Sequence, residues 1–171
     1  LRIFGYKLKR PIPLYCEPVV EEHLRRTFAY AFVPVDERNH QHSTPDLVFH
    51  TVGGDPFDVL GLTFTPLRLI HGQLPVLGYR IRDVAFCTDV SQIPEETWPK
   101  LEGLKVLILD ALWDEPHPTH FSIAQALEVI ERVKPERAYL THCSHRLDYE
   151  KTNARLPRGV ELAYDGLRIE L

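Results

Sequence analysis

With 171 residues, 44% of them apolar and 26% charged, the chain can bury one substantial core as a single domain over residues 1–171. A net charge of −4 gives no electrostatic case for a nucleic-acid or membrane-surface partner. No apolar run approaches the roughly 20 residues of a bilayer span, and no signal peptide opens the chain.

The chain contains no methionine, and Leu1-Arg2-Ile3-Phe4 lacks the polar character of a terminus. Leu1 therefore reads as an internal residue of a longer protein. Pro13 to Cys16 reads as a short strand. Pro18 to Tyr30 reads as a helix, with Pro18 in its first turn and Glu21-Glu22 placed early, where the helix dipole favours them. Asn39 to Pro45 is a polar loop. Leu47 to Val52, Phe57 to Leu60 and Leu62 to Ile70 are rich in β-branched and aromatic residues and read as strands. Val76 to Ile81 and Val84 to Thr88 form a hairpin around Arg82-Asp83.

The second half alternates strand and helix. Val106 to Leu109 is a continuous apolar run, as in a buried strand. Ser122 to Val133 reads as a helix: Ile123, Ala126, Leu127 and Ile130 share a face, and Ser122 with Gln125 makes a capping-box pattern. Ala138 to Thr141 is another buried strand. Val160 to Ala163 and Leu167 to Leu171 are expected to close the chain as a hairpin over Tyr164-Asp165-Gly166. Antiparallel strands followed by alternating strands and helices predict an α+β or layered α/β domain with helices outside the sheets.

Four polar residues stand at predicted strand ends: His71, Asp89, Asp110 and His142. A sheet fixes the backbone there while the loop exposes the side chain, so catalytic groups collect at such positions. Imidazole with carboxylate suits Zn²⁺, Mn²⁺ or Fe²⁺. Asp110 is read as a cap of the next turn. Cys87 and Cys143 adjoin the strand-end residues but alternate to the opposite face, and are read as buried thiols. Cys16, Cys87 and Cys143 are odd in number and far apart, which points to a reducing compartment, the cytoplasm. His117 and His120 lie three apart in a Pro-containing loop before the Ser122 cap, a context compatible with ligands, proton donors or turn residues. A helix N-terminus there favours a bound anion such as phosphate. His23, His40, His42 and His50 lack such context and read as structural or solvent-facing.

Ile70-His71-Gly72, Leu77-Gly78-Tyr79, Phe86-Cys87-Thr88-Asp89, Pro118-Thr119-His120-Phe121-Ser122, Leu140-Thr141-His142-Cys143-Ser144-His145 and Ala163-Tyr164-Asp165-Gly166 follow one another along essentially the whole chain. This ordered set resembles the metallo-β-lactamase-superfamily hydrolases. The branch it is most similar to is the phosphoribosyl cyclic phosphodiesterases of phosphonate breakdown. The tRNA 3′-processing endonucleases are more distant.

The resemblance implies a four-layer αββα sandwich, here N-terminally truncated, with two divalent metal ions at one edge. It makes His71 a ligand of one ion, His142 of the other, and Asp89 the bridge between them. It makes His120 the catalytic histidine, with His117 its competitor, and His145 a supporting residue. The family's first ligand motif, His-x-His-x-Asp-His, is absent from these 171 residues. The implied activity is two-metal hydrolysis of a small cyclic or nucleotide-like phosphate ester. Thioester or other carbonyl hydrolysis on the same fold is the alternative enzyme, and a non-catalytic chain lacking half the site is the alternative from another class. The expected partners are a small-molecule phosphate ester and, in a homodimer, a second copy of the chain.

Overall fold

Strand direction decides where this chain can gather polar side chains, and local sequence sets that direction. The computed structural model describes residues 2–33 and 44–171, so His40 and His42 lie outside the described residues. Two compact units form, Leu1–Gly53 and Gly54–Leu171.

The first unit contains α1 (Arg2–Leu8), β1 (Ile12–Cys16), α2 (Pro18–Thr27), a 3₁₀ turn at Ala29–Phe32 and β2 (Leu47–Thr51). β1 and β2 pair in parallel, with Ile12 opposite Leu47 and Cys16 opposite Thr51. His50 stacks on Tyr15, and His23 is exposed, as expected of structural histidines. The helix expected to reach Tyr30 ends at Thr27 instead. Thr27 and Phe28 are weak helix formers, and Phe28 leaves helical geometry at φ −115°, ψ 43°.

The second unit is built on a seven-stranded sheet in sequential order: β3 (Phe57–Val59), β4 (Leu62–His71), β5 (Leu74–Ile81), β6 (Val84–Cys87), β7 (Val106–Asp110), β8 (Arg137–Thr141) and β9 (Val160–Leu162). Two-residue turns make β3 to β6 antiparallel. Gly72, at φ +65°, starts the turn that reverses the chain after His71, as hairpin turns of this length require. From β6 to β9 the pairing is parallel. The crossovers carry a 3₁₀ segment (Glu95–Leu101) and the helices α3 (Ile123–Val133) and α4 (Tyr149–Asn153).

The core lies between the sheet and these crossovers. Leu67, Leu69, Leu107, Leu109 and Leu140 are fully buried. Burial of each such side chain contributes about 1.5–3 kcal/mol. Ile123, Ala126 and Val129 turn the apolar face of α3 into the same cluster. Ser122 and Gln125 form the capping box read from the sequence.

The C-terminal hairpin does not form. β9 pairs with β8, Ala163 N–H donating to Leu140 O at 2.8 Å, and residues 167–171 form no strand. On the outer edge of β9, Leu162 N–H donates to Asn153 Oδ1 at 2.8 Å. A side chain from the end of α4 therefore occupies the position a hairpin partner would need.

Candidate metal and catalytic site

β4 and β6 are both antiparallel to β5, so they run the same way, and β7 to β9 run with β6. The C-terminal ends of β4, β6, β7 and β8 consequently share one edge of the sheet. His71, Asp89, Asp110 and His142 all fall there, far apart in sequence but brought together by topology. The loops are tied to one another by backbone hydrogen bonds. Ser91 N–H donates to Ile70 O at 2.7 Å, Phe121 N–H to Val90 O at 2.9 Å and Ser144 N–H to Leu112 O at 2.8 Å.

Donor atoms of His71, Asp89 and His120 lie within 4.8 Å of one another, as do those of Asp110, His120 and His142. His142 Nε2 is 3.8 Å from Asp89 Oδ1. Asp89 therefore neighbours both His71 and His142. His120 stacks on His142 with ring centres 4.6 Å apart, and its centre is 4.7 Å from that of His71. Asp89 and His142 both adopt left-handed backbone, at φ 55° and 61°. For L-residues this costs roughly 1–2 kcal/mol each, the kind of strain that is held at functional sites.

Hydrogen bonds set the imidazole tautomers. His71 Nδ1–H donates to Thr119 O at 2.8 Å, since a carbonyl can only accept. Its Nε2 lone pair is left for a metal, the usual orientation of a ligating histidine. Thr119 N–H donates weakly to His117 Nδ1 at 3.3 Å, which leaves the proton of a neutral His117 on Nε2. One threonine backbone thus orients two site histidines.

Asp110 is not a turn cap. It is fully buried, and its Oδ2 accepts from both Val90 N–H at 2.9 Å and His120 Nδ1–H at 2.7 Å. Its Oδ1 is buried without a hydrogen-bond partner. A carboxylate in that position fixes His120 with Nδ1 protonated and Nε2 facing away. The sequence places Asp110 at a strand end, where its role reads as a cap, although a contrary signal exists: Asp110 ends an unbroken apolar run and is followed by Ala111-Leu112. A carboxylate flanked by buried residues on both sides requires a partner.

His117 sits beside His120, ring centres 5.3 Å apart, whereas His145 is exposed in the loop beyond His142. Cys87 is buried as expected, and burial pushes its thiol up to about 12. Cys143 is exposed instead of buried, because it follows the left-handed His142 out of the strand. Partial desolvation, then the nearby Asp110 charge, raise its thiol to about 11. Imidazoles with free Nε2 atoms, a carboxylate between them and an orphaned buried oxygen fit a borderline divalent cation.

Residues 3–143 match the Beta-lactamase superfamily domain. The chain belongs to this superfamily. It has the metallo-β-lactamase fold, and the expected layered α/β class is borne out. Membership implies divalent-metal binding. The superfamily chain is 36% identical to a crystal structure of a new diphosphatase from the PhnP family, with a TM-score of 0.81, covering 91% of this chain and 56% of that one. It is 34% identical over 161 residues to an octanoyltransferase of Porphyromonas gingivalis, covering 92% of this chain and 32% of that protein. The chain thus spans about a third of one relative and just over half of the other. Zn²⁺-bound PqqB from Methylobacterium extorquens shares the fold at 16% identity and a TM-score of 0.72, over 95% of this chain and 66% of that one. No helix among the described residues is long and apolar enough to cross a membrane.

Proposed function

We propose that this domain hydrolyses a phosphodiester or diphosphate bond in a small molecule, with His71, Asp89 and His142 as metal ligands and His120 as proton donor. The observation that carries the reading is the Asp110–His120 pair, set 2.7 Å apart against the His71, Asp89 and His142 side chains. The similarity to a PhnP-family diphosphatase supports a phosphate ester as substrate.

A divalent ion in this donor set, Zn²⁺, Mn²⁺ or Fe²⁺, supplies a bound water that ionises near neutral pH and a Lewis acid for a phosphoryl oxygen. His71, oriented by Thr119 O, and His142 would hold such an ion together with Asp89, whose carboxylate lies near both. His120 keeps one proton on Nδ1 against Asp110 and presents a second on Nε2. As the bond from phosphorus to the leaving oxygen breaks, that oxygen takes the Nε2 proton. Asp110 stabilises the imidazolium beforehand and fixes its orientation.

The similarity to an octanoyltransferase favours a second reading, attack on an acyl carbonyl at the same site. The two separate on a substrate panel. The whole protein containing this chain, loaded with Zn²⁺ or Mn²⁺, is assayed on bis(p-nitrophenyl) phosphate, a ribose cyclic phosphate and an octanoyl thioester. Turnover of the phosphodiesters above that of the thioester is expected. Thioester preference would reverse the assignment.

A further inference from the structure

His71 enters the site from the last position of β4, and its backbone is gripped by a side chain from another loop. The Ser91 hydroxyl accepts from Gly72 N–H at 2.9 Å and donates to Ile70 O at 3.2 Å. Ser91 N–H donates to the same carbonyl at 2.7 Å, and Ile70 N–H donates to Gln92 O at 3.0 Å. One serine therefore holds the peptide groups on both sides of the His71 Cα. The ladder between β4 and β5 ends at the pair His71 and Leu74. Gly72 lies beyond it, in the turn, so its N–H needs an acceptor from elsewhere. Ser91 Oγ supplies it.

An imidazole is aimed by two fixed points. The backbone sets the direction of the Cα–Cβ bond, and a hydrogen bond to the ring sets the torsions beyond it. Thr119 O is the second point for His71, at 2.8 Å from Nδ1. Ser91 is the first. The segment that carries Ser91 also serves the rest of the site. Asp89 stands two residues before it. Between them, Val90 N–H donates to Asp110 Oδ2, and Val90 O accepts from Phe121 N–H, the neighbour of His120, each at 2.9 Å. Ser91 thus joins the His71 backbone to the segment that bears Asp89 and braces the Asp110–His120 pair.

We propose that Ser91 is a positioning residue for His71: its hydroxyl locks the backbone from Ile70 to Gly72, so that His71 and Asp89 offer their donor atoms to a divalent ion at a fixed separation. This rests on the assignment of His71 and Asp89 as ligands above, and adds the residue that sets their spacing. Ser91 acts through the backbone and touches neither ion nor substrate. Without its hydroxyl the Gly72 N–H loses its acceptor, and the His71 side chain is held at its ring alone. β4 carries a second contact of the same kind further from the site. The buried Thr97 donates its hydroxyl proton to Arg68 O at 2.7 Å, three residues before His71.

The test uses the whole protein containing this chain, stripped of metal and loaded stepwise with Co²⁺, whose visible absorption reports ligand geometry. His71→Ala identifies the bands that depend on His71. Ser91→Ala should weaken Co²⁺ binding about 10-fold, the lower end of the cost of losing an outer contact of a ligand, and shift those same bands. Ser91→Thr keeps a hydroxyl on the same carbon and should recover most of both. Thr97→Val removes the comparable bond to Arg68 O. It should lower the melting temperature of the metal-free protein and leave the Co²⁺ bands at their wild-type positions. A Ser91→Ala protein equal to wild type in affinity and spectrum, beside an altered His71→Ala, would overturn the proposal and leave the ligand assignment standing. So would a Ser91→Thr protein no better than Ser91→Ala, because the hydroxyl would then not be the operative group. Equal band shifts in Thr97→Val and Ser91→Ala would overturn it as well, by showing that any loosening of β4 moves the ligand. A wild-type spectrum in His71→Ala would sink the ligand assignment itself, and the role of Ser91 with it.

Discussion

His120 Nδ1 lies 2.7 Å from Oδ2 of Asp110, a carboxylate without solvent exposure. The pair joins the end of β7 to the loop before α3, and its polarity is enforced by Val90 N–H on the same oxygen. Asp110→Asn conserves the volume but removes the charge that stabilises the imidazolium. Turnover should fall roughly 10²–10⁴-fold with a much smaller change in KM, as when a triad carboxylate is neutralised. Steady-state kinetics beside a thermal melt checks this. An equal loss in a variant that no longer melts cooperatively would point to a structural role alone.

His120 and the proposed ligands should fail differently. Asp89→Ala and His142→Ala should lower bound metal and activity together, which elemental analysis of the purified protein reads directly. His120→Ala should keep its metal and lose roughly 10²–10⁴-fold in turnover. That loss should shrink for nitrophenolate, a leaving group that hardly needs a proton. Metal lost from His120→Ala would make His120 a ligand instead.

Gly72 turns the chain immediately after His71 at φ +65°, and an added Cβ would lie 2.9 Å from Thr119 Cγ2. Gly72→Ala therefore combines left-handed strain with pressure on the residue that orients His71 and His117. A destabilisation of about 1–2 kcal/mol is expected, measured by urea denaturation. Metal affinity should weaken as well, because the Thr119 O contact of His71 moves with it. Wild-type affinity in a destabilised variant would show that this contact does not set the ligand.

Gly78 tests the sheet behind the site. A Cβ there would meet Phe86 O and Leu69 Cδ1, each at 2.8 Å. The carbonyl belongs to the adjacent strand and cannot give way cheaply. Gly78→Ala should cost about 1–3 kcal/mol through overpacking. A neutral denaturation midpoint would mean that β5 and β6 separate more readily than their pairing implies.

Sequence pattern was enough to find most of the strands and the strand-end residues His71, Asp89 and His142, because alternation and apolar runs are local signals. The capping box at Ser122 was legible for the same reason: its two partners are three residues apart. The ordered motifs also pointed to the superfamily that the domain match shows. The end of α2 was misplaced, since a helix boundary between Thr27 and Phe28 depends on weak preferences. The expected C-terminal hairpin failed because Asn153, nine residues from Leu162 in the chain, takes the edge hydrogen bond of β9.

Only the tertiary structure paired Asp110 with His120 and closed the Ser91 hydroxyl on the backbone either side of His71. A carboxylate at a strand end looks alike whether it caps a turn or is buried on an imidazole. Its surroundings come from β6, β7 and the loop before α3, which meet only when the sheet forms. Local sequence determined which residues could do chemistry at this edge, and the direction of the strands decided which of them meet.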